Sequence, residues 1–229
     1  MPKQVREPFG ALWGELTRIH FRWKLWKQLY GTGQRRVDLL NEMAQGYFYQ
    51  LQFLMLDDVV LSVARLMDPA RSKGDENMTL RLLLERVEAP AVEPAGPKAA
   101  KSELETLLEI IDKLGKPLRK HRHKRIAHAD YQHHAAVVGS VLPGISIAMI
   151  NDVLKALAKF MNTVQTKYED GITAYAAVDS LSDGDSLIRS LQKAADWKDL
   201  IKDPLERRDR IANSRYSDIE EYQGDWDVN

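Results

Sequence analysis

Apolar residues near the start of the chain recur at steps of three and four: Phe9, Leu12, Leu16, Ile19, Trp23, Trp26 and Tyr30. That spacing puts them on one stripe of a helix and leaves Arg18, Arg22 and Lys27 off it. Gly31 and Gly33 then break the helix. A second stripe runs through Val37, Leu40, Ala44, Tyr47, Leu51 and Leu54, and the same spacing continues through Asp58, Leu61 and Arg65 until Asp68-Pro69 ends it. Asn77 to Val87 predicts a short helix. The prolines and glycine between Glu88 and Pro97 predict a loop or linker.

In the second half, Leu104, Leu107, Ile111 and Leu114 form a third stripe. Gly115 stands where a residue just past a helix C-terminus is expected, and Pro117 suits the first turn of a new helix, so the stretch after it is expected to open one. Beyond Pro143-Gly144, Ile147, Ile150, Leu154, Leu157, Met161, Val164 and Tyr168 give a fourth stripe. Ser186 to Leu200 predicts a further helix, while Asp203 to Asn229 reads as a loosely attached polar tail. No segment alternates like a strand for any length, and no internal repeat stands out beyond the shared spacing. The pattern predicts an all-α protein: an up-and-down four-helix bundle with extra short helices and a polar C-terminal tail. Residues 1–175 are assigned to the bundle, and 176–229 to a C-terminal helical extension and tail.

At 229 residues the chain is long enough to bury a core without staples. The absence of cysteine closes thiol catalysis, disulfides and thiolate metal sites, and fits a reducing compartment. No apolar run reaches membrane-spanning length, and Met1 to Gly10 lacks the apolar segment of a signal peptide, so a soluble cytoplasmic protein is expected, with no membrane partner. Lys plus Arg and Asp plus Glu are equal at 33 each, and the net charge points to no partner. The distribution changes this picture. Lys113 to Ala129 holds no acidic residue, and Lys116 to Arg125 carries six Lys or Arg with His121 and His123 among them. This is a local phosphate-attracting patch on a balanced protein.

Within the patch, Arg122-His123-Lys124-Arg125-Ile126-Ala127-His128 resembles the signature of the HEPN superfamily: an Arg, a polar residue, a short gap and a His. His123 stands where Asn is commonest. Val63-Ala64-Arg65-Leu66-Met67-Asp68, followed by a loop and the short helix near Thr79 to Val87, is similar to the abortive-infection, AbiU-like branch of that superfamily. The resemblance implies metal-independent endoribonuclease activity, in phage defence or as a toxin, with RNA as the substrate, a homodimer as the assembly and an antitoxin protein as a partner. It implies no cofactor. The residue types suit the chemistry. A ribose 2′-hydroxyl must lose a proton as it attacks the adjacent phosphate, and His128 has the pKa range to take it or to protonate the leaving oxygen. Arg122 supplies a planar fork for phosphate oxygens, and His123 orients the phosphate or shares the acid–base work. Lys120, Lys124 and Arg125 are candidate RNA contacts, and Arg65 is a secondary one.

Six residues of regular helix turn through about 600°, which would point Arg122 and His128 of one chain some 120° apart. One chain alone then does not close the site, and the resemblance implies a composite one, since members of that superfamily commonly place two motifs together across a dimer axis. Other readings of the same residues stay open. A basic run is also the mark of a solvated helix face, and the module could bind RNA, a nucleotide or a partner without cutting. The histidines lack the spacing of a metal site: His121 and His123 face different sides of a helix, and Asp130 is the one nearby carboxylate. His133 and His134 read as surface residues, and His20 as the edge of the first stripe. Asp58 and Arg65 read either as a satisfied polar pair drifting onto the surface or as groups facing a cleft beside the motif.

Overall fold

The computed structural model describes residues 1–88, 102–123, 144–201 and 203–214. Among them are seven α-helices: α1 (Lys3–Trp26), α2 (Gln34–Leu66), α3 (Leu80–Glu88), α4 (Glu103–His121), α5 (Ile147–Tyr168), α6 (Gly184–Leu200) and α7 (Pro204–Ala212). The protein is all-α, and the described residues add only a short hairpin of two-residue strands, β1 (Arg71–Ser72) and β2 (Asp75–Glu76), paired antiparallel around Lys73 and Gly74. Both turn residues have positive φ, the conformation a tight two-residue hairpin turn requires. The four long helices contact one another in a ring: α1 packs on α2, α2 on α4, α4 on α5 and α5 back on α1. None of the helices among the described residues is long and apolar enough to cross a membrane.

Each side of the ring contributes a face of the core. From α1 come Phe9, Leu12, Leu16, Ile19, Trp23 and Trp26, the stripe the sequence predicts; from α5 come Ile150, Leu154, Leu157, Met161 and Val164, again as predicted. Fully burying such a side chain contributes about 1.5–3 kcal/mol, so these two stripes are principal sources of stability. Polar ends on the large core rings find partners: Trp23 Nε1 donates to Asn151 Oδ1 at 2.7 Å, and Trp26 Nε1 to the Gln52 carbonyl at 3.0 Å.

Helix α2 departs from its predicted stripe. Backbone angles leave the helical region at Ala44 (φ −161°, ψ 73°), and beyond this kink the buried positions are Phe48, Leu56, Val59, Val60, Ser62, Val63, Ala64 and Leu66. Tyr47 and Leu54, expected inside, are each 65% exposed. A spacing carried unbroken across the kink picks the neighbouring face, because one residue of phase error rotates a helix by about 100°. Asp58 and Arg65 consequently lie off the core: Asp58 pairs with Arg22 of α1, and Arg65 Nη2 lies 3.5 Å from Glu15 Oε1.

Helix α4 corrects a second expectation. It runs unbroken through Gly115 and Pro117, and Arg122 and His123 continue it in π-helical form, so the described part of the basic patch lies within a helix instead of opening one. An internal proline loses one backbone hydrogen bond and costs about 3 kcal/mol. Packing outweighs this. Ile111 and Leu118 are wholly buried on either side, and Gly115 lies so close to α2 that a Cβ there would stand 2.2 Å from Met67 Sδ. Glycine is at this position to let α4 meet the end of α2.

Helix α6, expected from the sequence, covers the first half of α2 through Leu29, Leu40, Phe48 and Ile188. Its entry is locked by polar contacts: buried Gln28 donates to Asp183 at 2.7 Å and to Asp185 at 2.9 Å, and accepts from the Gly184 N–H at 3.1 Å. The chain after it is not wholly a tail, since α7 follows with Pro204 at its start, and Arg207 donates to the carbonyls of Lys198 and Ile201 beneath the end of α6.

Candidate functional site

The motif begins at the C-terminal end of α4. Arg122 continues the helix beyond α4 as a π-helical residue with αR backbone angles, and its Nη1 donates to both oxygens of Asp68, at 2.9 and 2.8 Å. Asp68 sits two residues beyond the end of α2, fixed by its N–H to the Arg65 carbonyl at 3.2 Å. A charge-assisted pair of this kind positions a guanidinium firmly, and because it engages one nitrogen, Nε and Nη2 lie outside it. One residue earlier, His121 is buried, with Nε2 3.6 Å from Asp57 Oδ1. Asp57 on α2 thus faces His121, and Asp68 just beyond the end of α2 holds Arg122. The Arg122–Asp68 pair fastens the end of the motif helix to the end of α2.

The other basic residues differ in what they can do. Arg119 is tied to Asp112, Nη1 to Oδ1 at 3.0 Å, and the same carboxylate holds Arg81 of α3. Lys116 and Lys120 are exposed, as is His123. His121 and His123 have opposite environments, one inside and one outside. Lys124, Arg125 and His128 lie outside the described residues, as do His133 and His134. Among the described residues no group of three or more His, Asp or Glu side chains could hold a metal ion.

Arg65 lines a cavity that Arg122 does not, and Asp68 is the residue common to both. A cleft of about 660 Å³ opens between α1, the end of α2 and the hairpin segment, and its walls include Glu15, Arg18, Arg65 and Asp68. The carboxylate that holds Arg122 thus also lines the cleft that Arg65 enters. Glu15 accepts from Arg18 at 2.8 Å and lies 3.3 Å from Arg22 and 3.5 Å from Arg65. Partial burial pushes its carboxyl up, but the Arg18 hydrogen bond and the charges of Arg22, Arg18 and Arg65 outweigh burial and hold it below the usual range.

The family comparison agrees with this architecture. A HEPN-type family model described as AbiU2 matches residues 3–188, from the start of α1 into α6. The chain belongs to the AbiU2 family of HEPN domains. The match spans the Arg122 to His128 motif, the Asp68 carboxylate that fastens it and the cleft. It links the chain to abortive infection at the level of the domain. No curated protein and no solved structure matches the chain.

Sequence reasoning named Arg122, His123, Lys120 and Arg65 but missed Asp57, Asp68 and Glu15. Asp68 was within the segment that carries the resemblance, yet its pairing spans 54 positions and leaves no local trace.

Proposed function

We propose that this protein is a metal-independent endoribonuclease acting in abortive infection or as a toxin restrained by an antitoxin partner, with Arg122, His123 and His128 as its catalytic set. The observation that carries this reading is the AbiU2 family match over residues 3–188, which contains the whole motif. The geometry of Arg122 supports it: a guanidinium held by one nitrogen on Asp68 is aimed by that contact and keeps other donors for phosphate oxygens.

In this mechanism the ribose 2′-oxygen bonds to the adjacent phosphorus as the bond from phosphorus to the 5′-oxygen breaks. The 2′-proton passes to an imidazole, and the leaving 5′-oxygen takes a proton from an imidazole. Arg122 holds the negative charge that gathers on the phosphate, and stabilisation of that kind is worth about 3–4 kcal/mol. His128 carries the proton transfer and His123 assists it. Lys120, Lys124 and Arg125 hold neighbouring phosphates. A homodimer unites the Arg of one copy with the His of the other, making the cleaving centre composite.

The test is cleavage of bulk RNA by purified protein in EDTA. The expected products carry 2′,3′-cyclic phosphate and 5′-hydroxyl ends, and RNA with 2′-deoxy positions at the cut site resists. Cleavage that EDTA abolishes and added metal restores overturns the mechanism. Binding without cleavage moves the protein to a non-catalytic RNA- or nucleotide-binding module.

A further inference from the structure

Three guanidinium groups converge on one carboxylate at the mouth of the 660 Å³ cleft: Arg18, Arg22 and Arg65 all meet Glu15, and only Arg22 has a second acidic partner there, Asp58. The lining itself is balanced, Arg18 and Arg65 against Glu15 and Asp68, but Asp68 is already held by Arg122; with Arg22, Arg122 and Asp58 counted beside the lining, four guanidinium groups face three carboxylates, an excess of one. The Arg18 and Arg65 side chains are 66% and 58% exposed, so most of their donor surface is open to solvent although both are oriented by Glu15. Oriented but solvated guanidinium groups with surplus charge form an anion seat, since the ligand replaces water and the protein has little side-chain freedom left to lose. The cleft is of the size of small-molecule sites, and Pro69 and the half-exposed Met78 give it an apolar wall.

We propose that this cleft is a second phosphate seat, distinct from the Arg122 motif, which takes a nucleotide unit with its phosphate on Arg18 and Arg65 and its base against Met78 and Pro69. The inference rests on the proposed RNA-directed function and extends it to a subsite. Asp68 lies between the two cationic centres, lining the cleft and holding Arg122, so a strand running past this carboxylate meets one centre and then the other. Glu15 acts in opposite senses. It orients the arginines, and it also subtracts from the charge a phosphate meets.

The experiment uses the full chain carrying His128→Ala, to suppress cleavage, titrated with a labelled single-stranded RNA oligonucleotide and separately with adenosine 5′-monophosphate. Arg18→Glu with Arg65→Glu is expected to weaken RNA binding at least tenfold and to flatten the log–log salt dependence by about 1.4, two contacts at about 0.7 each. Glu15→Gln is expected to tighten binding about threefold. That opposite sign is one a folding defect cannot mimic. Mononucleotide binding with the same sensitivity identifies a free nucleotide as ligand, and binding of RNA alone identifies the strand; either supports the seat. Unchanged affinity and salt slope in the double variant, with helical content intact, overturns it. Absence of cleavage by the wild type alongside arginine-dependent binding sinks the ribonuclease reading and leaves the seat standing.

Discussion

At its N-terminus α4 is specified by its own sequence: Ser102 Oγ accepts from the Glu105 N–H at 3.1 Å, and the Glu105 carboxylate accepts from the Ser102 N–H at 2.8 Å. This reciprocal cap needs no other part of the chain. At its C-terminus the same helix passes through Gly115 and Pro117, where local sequence favours a stop, and continues because Met67, Asp57 and Asp68 of α2 and its end receive it. The contrast shows where specification comes from. The end without chemistry is fixed by local capping, while the end that carries the motif is fixed from outside, so it depends on α2 being in place.

The largest effect expected along these lines is on pH-dependent stability, and it provides a reference away from α4. Burial pushes the His20 imidazole, on the seam between α1 and α5, down to about 4, against a backbone hydrogen bond at Leu154 that pulls it up. The unfolded chain then binds the extra proton between about pH 6.5 and 4, so the stability is fully present above 6.5 and is lost as pH falls: about 2 kcal/mol by pH 5 and about 3 kcal/mol by pH 4. Denaturant titrations at pH 7 and 5 measure this. His20→Gln is expected to flatten the decline, and an equal decline in that variant would place the proton elsewhere.

Next comes the tertiary end of α4. Gly115→Ala is expected to cost about 1–2 kcal/mol net: the new methyl must displace the end of the buried Met67 side chain, and alanine's better helix propensity returns about 1 kcal/mol of that loss. Pairing it with Met67→Ala should give less than the sum of the two single losses, which is the signature of direct contact. Additive losses would contradict the close approach. The smallest effect belongs to the local end: Ser102→Ala should cost about 1 kcal/mol. It should leave RNA binding unchanged, whereas Gly115→Ala should disturb binding and stability together.

The same division decides what could be read in the sequence. The stripes of α1 and α5 were legible because nothing interrupts their periodicity, and every buried position inferred for α1 up to Trp26 is buried. The α2 stripe failed beyond Ala44 because a backbone kink leaves no compositional mark. Tyr47 and Leu54 therefore stand outside where Phe48 and Leu56 stand inside. Gly115 and Pro117 misled because glycine's common use at helix ends hides its other use, close packing against a neighbour. At the site, Arg122 was legible through its motif. Its partner Asp68 and the Glu15–Arg65 contact were not, since long-range ion pairs depend on how α1, α2 and α4 come together. His128, Lys124 and Arg125 lie outside the described residues.

The measurement that bears most directly on the central claim is the rate of RNA cleavage by wild type, Arg122→Ala and His128→Ala in the presence of EDTA, with circular dichroism and sedimentation run on the same samples. Loss of one phosphate-holding or proton-transferring group should slow cleavage by about 10²-fold or more while helical content and sedimented mass stay those of the wild type. Wild-type cleavage by His128→Ala, in a sample free of contaminating nuclease, would contradict the assignment of the motif as the catalytic centre.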